Sequence, residues 1–326
     1  MGELTETRTV ERGGVKLAVD VGGSGPPVVL AHGFPELAYS WRHQVPALIH
    51  AGYRVAVPDQ RGYGRSDRPE PIEAYDIVEL TDDLLAVLDS LGEERAVFVG
   101  HDWGAQVVWQ LALLAPERVA GVVGMSVPFL PRAPAPTATL LRQIYADNFF
   151  YMLYFQEPGV ADAELAADPA KTMRRMLAGA TAGPLSQEQL EALAAPGASG
   201  LLDRMPEPRG LPDWLSQADL DHYVETFART GFTGGLNWYR NLDRDWELTA
   251  RVDGAHVRCP SMFIAGSADV VLTFTTPEAG LPFLDDHRSS LILAGAGHWV
   301  QQERPAEVNA ALISFLDDVT HRKAHP

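Results

Sequence analysis

Cysteine is nearly absent from this 326-residue chain. Cys259 stands alone, so neither an internal disulfide nor a thiolate metal site can form, and nothing calls for an oxidising compartment. Its apolar surroundings point to simple burial. Basic residues are also scarce: 26 Lys and Arg face 43 Asp and Glu, a net charge of −17 that repels phosphate backbones and anionic lipid. The charge argues against nucleic acid or a membrane surface as partner and favours a small neutral ligand. Long apolar runs are missing too. Even GVVGMSVPFLP, Gly121 to Pro131, ends at proline, short of the roughly 18 residues a spanning helix needs. The opening MGELTETRTVERGG has no apolar core for a signal peptide, and Glu6 stands where a myristoylation motif requires Ser or Thr. A cytoplasmic protein, monomer or homodimer, is expected. The ten histidines form no H-E-x-x-H or comparable ligand spacing, and VGGSGPP lacks the spacing of a phosphate-binding loop. Neither metal nor cofactor is expected.

With 46% hydrophobic and 21% charged residues, the composition is that of an ordinary globular protein. Short β-branched runs predict buried strands at Val28–Ala31, Val55–Pro58, Ala96–Gly100 and Val119–Val127. Between them an amphipathic stretch aligns Val78, Leu80, Leu84, Leu85, Leu88 and Leu91, with Gly92 as its stop. Strand, helix, strand implies a parallel sheet. The same grammar returns with strands at Met262–Ala265 and Leu291–Leu293 and a closing helix at Ala306–Val319. From Arg132 the strand signal stops. RAPAPTATL reads as a proline-rich hinge, followed by helix candidates at Asp162–Leu177, Gln187–Ala194, Ser216–Arg229 and Gly235–Asn241. The expected organisation is therefore one α/β domain, residues 1–131 and 249–326, with a helical cap, residues 132–248, inserted between two strands.

The chemistry starts at AVFVGHDWGAQVV, a buried strand running through Gly100, His101, Asp102, Trp103 and Gly104 into a helix. This is nucleophile-elbow spacing, in which small flanking residues permit a sharp turn that presents the central side chain at the sheet's edge. That side chain is a carboxylate, Asp102. Its competing reading is a helix N-cap. VVLAHGFPELAYSW places His32, Gly33, Phe34 and Pro35 after another buried strand, where the Phe34 N–H can serve an oxyanion hole with the Trp103 N–H as partner. Phe34–Pro35 is a candidate cis peptide. SMFIAGSADVV delivers Asp269 and LILAGAGHWVQQERP delivers His298. The order Asp102, Asp269, His298 is the nucleophile, acid, histidine order of the α/β-hydrolase plan.

Taken together, HGFPE, PDQRGYGRSD, GHDWGA, GSAD and GHWVQQERP resemble the α/β-hydrolase-fold epoxide hydrolases of the soluble type. The resemblance extends through the cap segments FYMLYFQEPGVADAEL, PDWLSQADLDHYV and GGLNWYRN. It implies a mostly parallel sheet flanked by helices with an inserted helical cap, and a small apolar epoxide and water as reactants. It also implies Asp102 as nucleophile, His298 with Asp269 as the charge-relay pair, and Tyr151 and Tyr239 as donors to the oxirane oxygen. Tyr154 rivals Tyr151 as a donor, with packing against the cap as its competing role. Phe150, Trp238 and Trp299 would wall an apolar pocket with Phe34 and Trp103. His101 is expected to bond neighbouring backbone. Glu36 would either orient water or the loop, or be a solvated carboxylate, and Asp59 would form a turn.

The main alternative is a haloalkane or haloacid dehalogenase, which shares the elbow aspartate, the ester intermediate and the histidine base. A departing halide wants N–H donors rather than a proton. Trp103 suits both, and Trp238 keeps the halide reading open. Phe34 and the two cap tyrosines favour the epoxide. An esterase, lipase or lactonase would need Ser or Cys at position 102. A non-catalytic binding protein on the same scaffold has no support, since all three triad members are present.

Overall fold

A computed structural model describes residues 4–179, 187–197 and 199–321. Eight strands, β1 (Leu4–Arg12), β2 (Val15–Gly22), β3 (Pro27–Ala31), β4 (Arg54–Pro58), β5 (Ala96–His101), β6 (Val119–Met125), β7 (Val257–Gly266) and β8 (Leu284–Leu293), build one sheet. Their order is β1-β2-β4-β3-β5-β6-β7-β8. β1 and β2 pair antiparallel, as do β2 and β4, and every other neighbour is parallel.

The inner strands alternate between two cores. Val28 and Leu30 face one side with Val97, Val99, Trp41, Leu312 and Phe315, while Val29 and Ala31 face the other with Phe98, Leu84, Val107 and Trp109. A period of two on a sheet covered on both faces is why these runs read as continuously apolar. Helix α1 (Gln44–His50) and the closing helix Pro305–His321 cover the first face, and α2 (Ile77–Ser90) and α3 (Trp103–Leu114) the second.

The expected inner strands are all present, and β8 begins seven residues earlier than its sequence signal. The buried stripe of α2 is rotated: Ile77, Leu80, Leu84, Val87 and Leu88 are buried, whereas Val78 and Leu85 are only half-buried. The β1–β2 hairpin leaves little apolar signal, since Val10 is the one buried residue of β1 among Glu6–Arg12. Its signal was Gly13-Gly14, both at positive φ (59° and 82°), the backbone of a two-residue hairpin turn.

Between Met125 and Val257 the described elements are helical. They are α4 (Thr137–Tyr145), α5 (Tyr151–Tyr154), α6 (Val160–Ala167), α7 (Pro169–Gly179), α8 (Gln187–Ala194), α9 (Leu201–Arg204), α10 (Gln217–Thr230), α11 (Thr233–Arg240) and α12 (Leu242–Leu248), followed by a short turn at Thr249–Val252. The single helix expected over Asp162–Leu177 is two, because the residue before a proline avoids the helical region and Asp168 takes φ −148°, ψ 88° ahead of Pro169. The proline-rich hinge ends sooner than expected, with α4 starting directly after Pro136. Among the described residues no helix is long and apolar enough to cross a membrane.

Candidate active site

The parallel strands deliver three side chains to one edge of the sheet, beyond their carboxyl ends. Asp102 follows β5, Asp269 lies three residues after β7 and His298 five after β8. Asp102 occupies φ 52°, ψ −120°, a conformation an L-residue adopts only where its surroundings impose it. Close contact imposes it here. A Cβ on Gly100 would meet the Gly104 carbonyl, and one on Gly104 would meet the Ala31 carbonyl, so strand, turn and helix can approach only through glycine. Although Asp102 precedes α3, its side chain makes no capping hydrogen bond.

The Phe34 N–H instead donates to Asp102 Oδ1 at 2.8 Å, beside the cis Phe34–Pro35 bond. The Trp103 N–H opens α3, where helix geometry leaves an amide without an intrahelical partner. The other carboxylate oxygen, Oδ2, lies 3.5 Å from His298 Nε2. His298 Nδ1 is 3.0 and 3.1 Å from the two oxygens of Asp269. Burial raises the Asp269 carboxyl, but the adjacent His298 charge and its hydrogen bond outweigh this and hold it below the usual range. An ionised Asp269 only accepts, so Nδ1 carries the proton and Nε2 faces Asp102. Burial pulls His298 down, yet Asp269 and Asp102 together lift it well above an ordinary histidine.

The two tyrosines come from α5 and α11 of the insertion and meet over Asp102, with ring centroids 5.9 Å apart. Burial, and then the Asp102 charge, raise both phenols well above 10, so both stay protonated and able to donate. The Trp103 ring meets the Tyr239 ring edge-on, with centroids 5.1 Å apart. Two cavities of ≈270 and ≈320 Å³ share Asp102, Tyr151, Tyr239, Val271 and Phe274 in their walls. Trp103 lines the smaller; Phe34, Phe150, His298 and Trp299 line the larger.

Trp238 is placed differently from expectation. It is wholly buried behind Trp103, its Nε1 donates to Arg61 O at 3.2 Å, and it lines neither cavity. Tyr154 likewise lines neither, turning toward Phe149 and Glu164. Asp59 does more than form a turn, accepting from Ala38 N and from Arg65.

Sequence reasoning missed the network beneath the histidine. Glu36 is fully buried and accepts from Gly33 N (2.9 Å), Gln301 Nε2 (2.9 Å) and His101 Nδ1 (2.6 Å). Burial would raise this carboxyl, but the His101 ring and the Gly33 amide carry it down to about 2. His101 Nε2 donates to the His298 carbonyl at 2.7 Å, as does Ser126 Oγ. A charged residue within the otherwise apolar HGFPELA segment was the available clue.

The scaffold is that of an α/β hydrolase: residues 26–305 match the family model of the alpha/beta hydrolase fold. The chain is 59% identical over 318 residues to Epoxide hydrolase A of Mycobacterium tuberculosis, covering 97% of this chain and 98% of that protein. It is 38% identical to Epoxide hydrolase 3 of Siraitia grosvenorii, covering 95% and 97%. Among solved structures it resembles Epoxide Hydrolase A from Mycobacterium thermoresistibile, with a TM-score of 0.92 at 58% identity and coverage of 95% and 98%. The chain belongs to the epoxide hydrolases of the alpha/beta hydrolase fold family.

Proposed function

We propose that this chain opens a small apolar epoxide in two steps on Asp102 and releases a vicinal diol, under a cap formed by residues 132–248. Epoxide hydrolysis itself follows from family membership; the residue roles are our reading. The observation that carries it is the meeting of a carboxylate, an imidazole and two neutral phenols around one space.

In the first step Asp102 Oδ2 attacks a ring carbon and the C–O bond breaks. The electron pair moves to the ring oxygen, which takes a proton from Tyr151 or Tyr239. Without that proton the leaving alkoxide would be far too basic to form, and such general-acid help is worth roughly 10²–10⁴-fold. In the second step His298 Nε2 takes a proton from water, whose oxygen adds to the Asp102 carboxyl carbon. Negative charge gathers on Oδ1, already bonded to the Phe34 N–H, with the Trp103 N–H adjacent. Collapse expels Oδ2, which takes the proton of the newly formed carboxylic acid and leaves as the second hydroxyl of the diol; one water oxygen stays on Asp102, and the His298 imidazolium gives up its proton to restore the tyrosine. Esterification removes the Asp102 charge, one of the two that raise His298, and so frees the imidazole to act as a base when it is needed.

The halide alternative weakens because the Trp238 N–H is spent on Arg61. A cytoplasmic setting belongs to the same proposal, supported by a lone buried thiol, Cys259, pushed up to about 12 by burial. The mechanism is tested with styrene oxide in a single turnover in heavy-oxygen water. The label is expected in the Asp102 peptide and not in the first diol. Label in the first diol with an unlabelled Asp102 would replace the ester with direct attack by water.

A further inference from the structure

The smaller cavity runs along one face of α3, lined by Trp103, Gln106 and Gln110. Much of its wall is aromatic and aliphatic, with Val127, Met152 and Leu242. The same wall carries two amides and a carboxyl besides Asp102. Gln106 and Gln110 lie four and eight residues past Asp102 on α3, about 6 and about 12 Å along the axis at the helical rise. Neither amide has a described protein partner, and Gln110 Oε1 is buried without one. Asp245, from α12, lines the same cavity; its Oδ1 accepts from the Ile77 N–H at 2.8 Å, and its second oxygen has no described partner. Burial, with Asp76 nearby, raises the Asp245 carboxyl well above the usual carboxylate range.

A buried amide oxygen without a partner has lost its bond to water and destabilises the fold unless something bonds it. The charged neighbour is occupied: Arg132 stacks on the Trp246 ring, gives two bonds to Trp246 O and leans toward Asp253. The groups left available are neutral donors and acceptors.

We infer that Gln106, Gln110 and Asp245 form a specificity subsite for epoxides whose chain ends in an uncharged hydrogen-bonding group, a hydroxyl being the simplest. The inference rests on the epoxide-opening reading above. With the ring at Asp102, Tyr151 and Tyr239, a chain lying along α3 passes Gln106 and brings its far end to Gln110, with Asp245 in the wall of the same cavity. The hydroxyl gives its proton to Gln110 Oε1 and accepts from the Asp245 carboxyl. In an arm lacking such partners, burying that hydroxyl would strip it of water without replacement and disfavour the substrate.

The experiment compares kcat/KM for 1,2-epoxydecane, 9,10-epoxydecan-1-ol, its terminal amine and its terminal carboxylate. The alcohol is expected to match or exceed the plain epoxide and to exceed both charged analogues. Gln110→Leu is expected to lower the alcohol-to-decane ratio about tenfold, a loss of about 1.4 kcal/mol. Asp245→Asn, which keeps a group able to donate and to accept from Ile77, is expected to hold the ratio near the parent value. The Gln106→Leu ratio gives an independent reading should Gln110→Leu fold poorly. An alcohol tenfold worse than decane in the parent, a preference for amine or carboxylate, or an unchanged ratio in both leucine variants would overturn the subsite. Failure to hydrolyse any of the four would instead count against the epoxide reading.

Discussion

His298 sits between two carboxylates, and its proton is controlled by whichever of them is charged. With both ionised, its affinity for a proton is high and the imidazolium persists near neutrality. Ring opening does not use this base; ester hydrolysis does. Lowering the pH therefore slows the second step and spares the first. Rapid quenching at pH 6 and pH 8 is expected to find a larger fraction of Asp102 alkylated at pH 6, measured as the mass of its peptide. Equal fractions at the two pH values would mean that another group activates the water. The tyrosines set no limit in that range, since burial and the Asp102 charge keep both phenols protonated.

At the scale of elements, short loops and local caps were legible and distant ones were not. The elbow could be read because strand, glycines and helix are contiguous. The triad could be read because each member closely follows a strand of the parallel sheet, buried for β5 and largely so for β7, and an exposed edge for β8. Helix α4 could not, since its N-cap position is Pro136, which offers no side-chain cap. Its capping group is Asp243 on α12, whose Oδ1 accepts from Ala138 N (2.6 Å) and Thr139 N (3.3 Å) across 105 residues of sequence. The same gap explains Trp238 and Tyr154: both lie beside site residues in sequence, and only the rotation of their helices turns them away. Asp243→Ala should cost about 1 kcal/mol, measured from the denaturant midpoint, with faster amide exchange confined to α4, and Asp243→Asn should recover most of the loss. Unchanged exchange in α4 would show the cap to be dispensable.

Across the whole molecule, the opening loop, the elbow and the closing segment are joined through Glu36. It binds Gly33 in its own loop, His101 at the end of β5 and Gln301 near the closing helix, while His101 reaches the His298 carbonyl. Segments distant in sequence thus meet at one buried carboxylate. Because the folded carboxyl is held at about 2, against 4.5 when unperturbed, its contribution to stability is complete above the unperturbed value and is lost as the pH falls toward 2. Glu36→Gln keeps the shape but leaves His101 facing an amide, which should cost about 3 kcal/mol at neutral pH and lower the Tm of a 326-residue chain by roughly 4–5 °C. The stability difference between parent and variant should be widest above the unperturbed carboxyl pKa and should narrow steadily below it, as the unfolded chain takes up a proton that the folded Glu36 refuses. Paired denaturant titrations from neutral pH to pH 3 measure that difference directly. A gap of constant size across the range would mean that Glu36 stabilises the fold by its shape and hydrogen bonds, and that its charge is not what ties the three segments together.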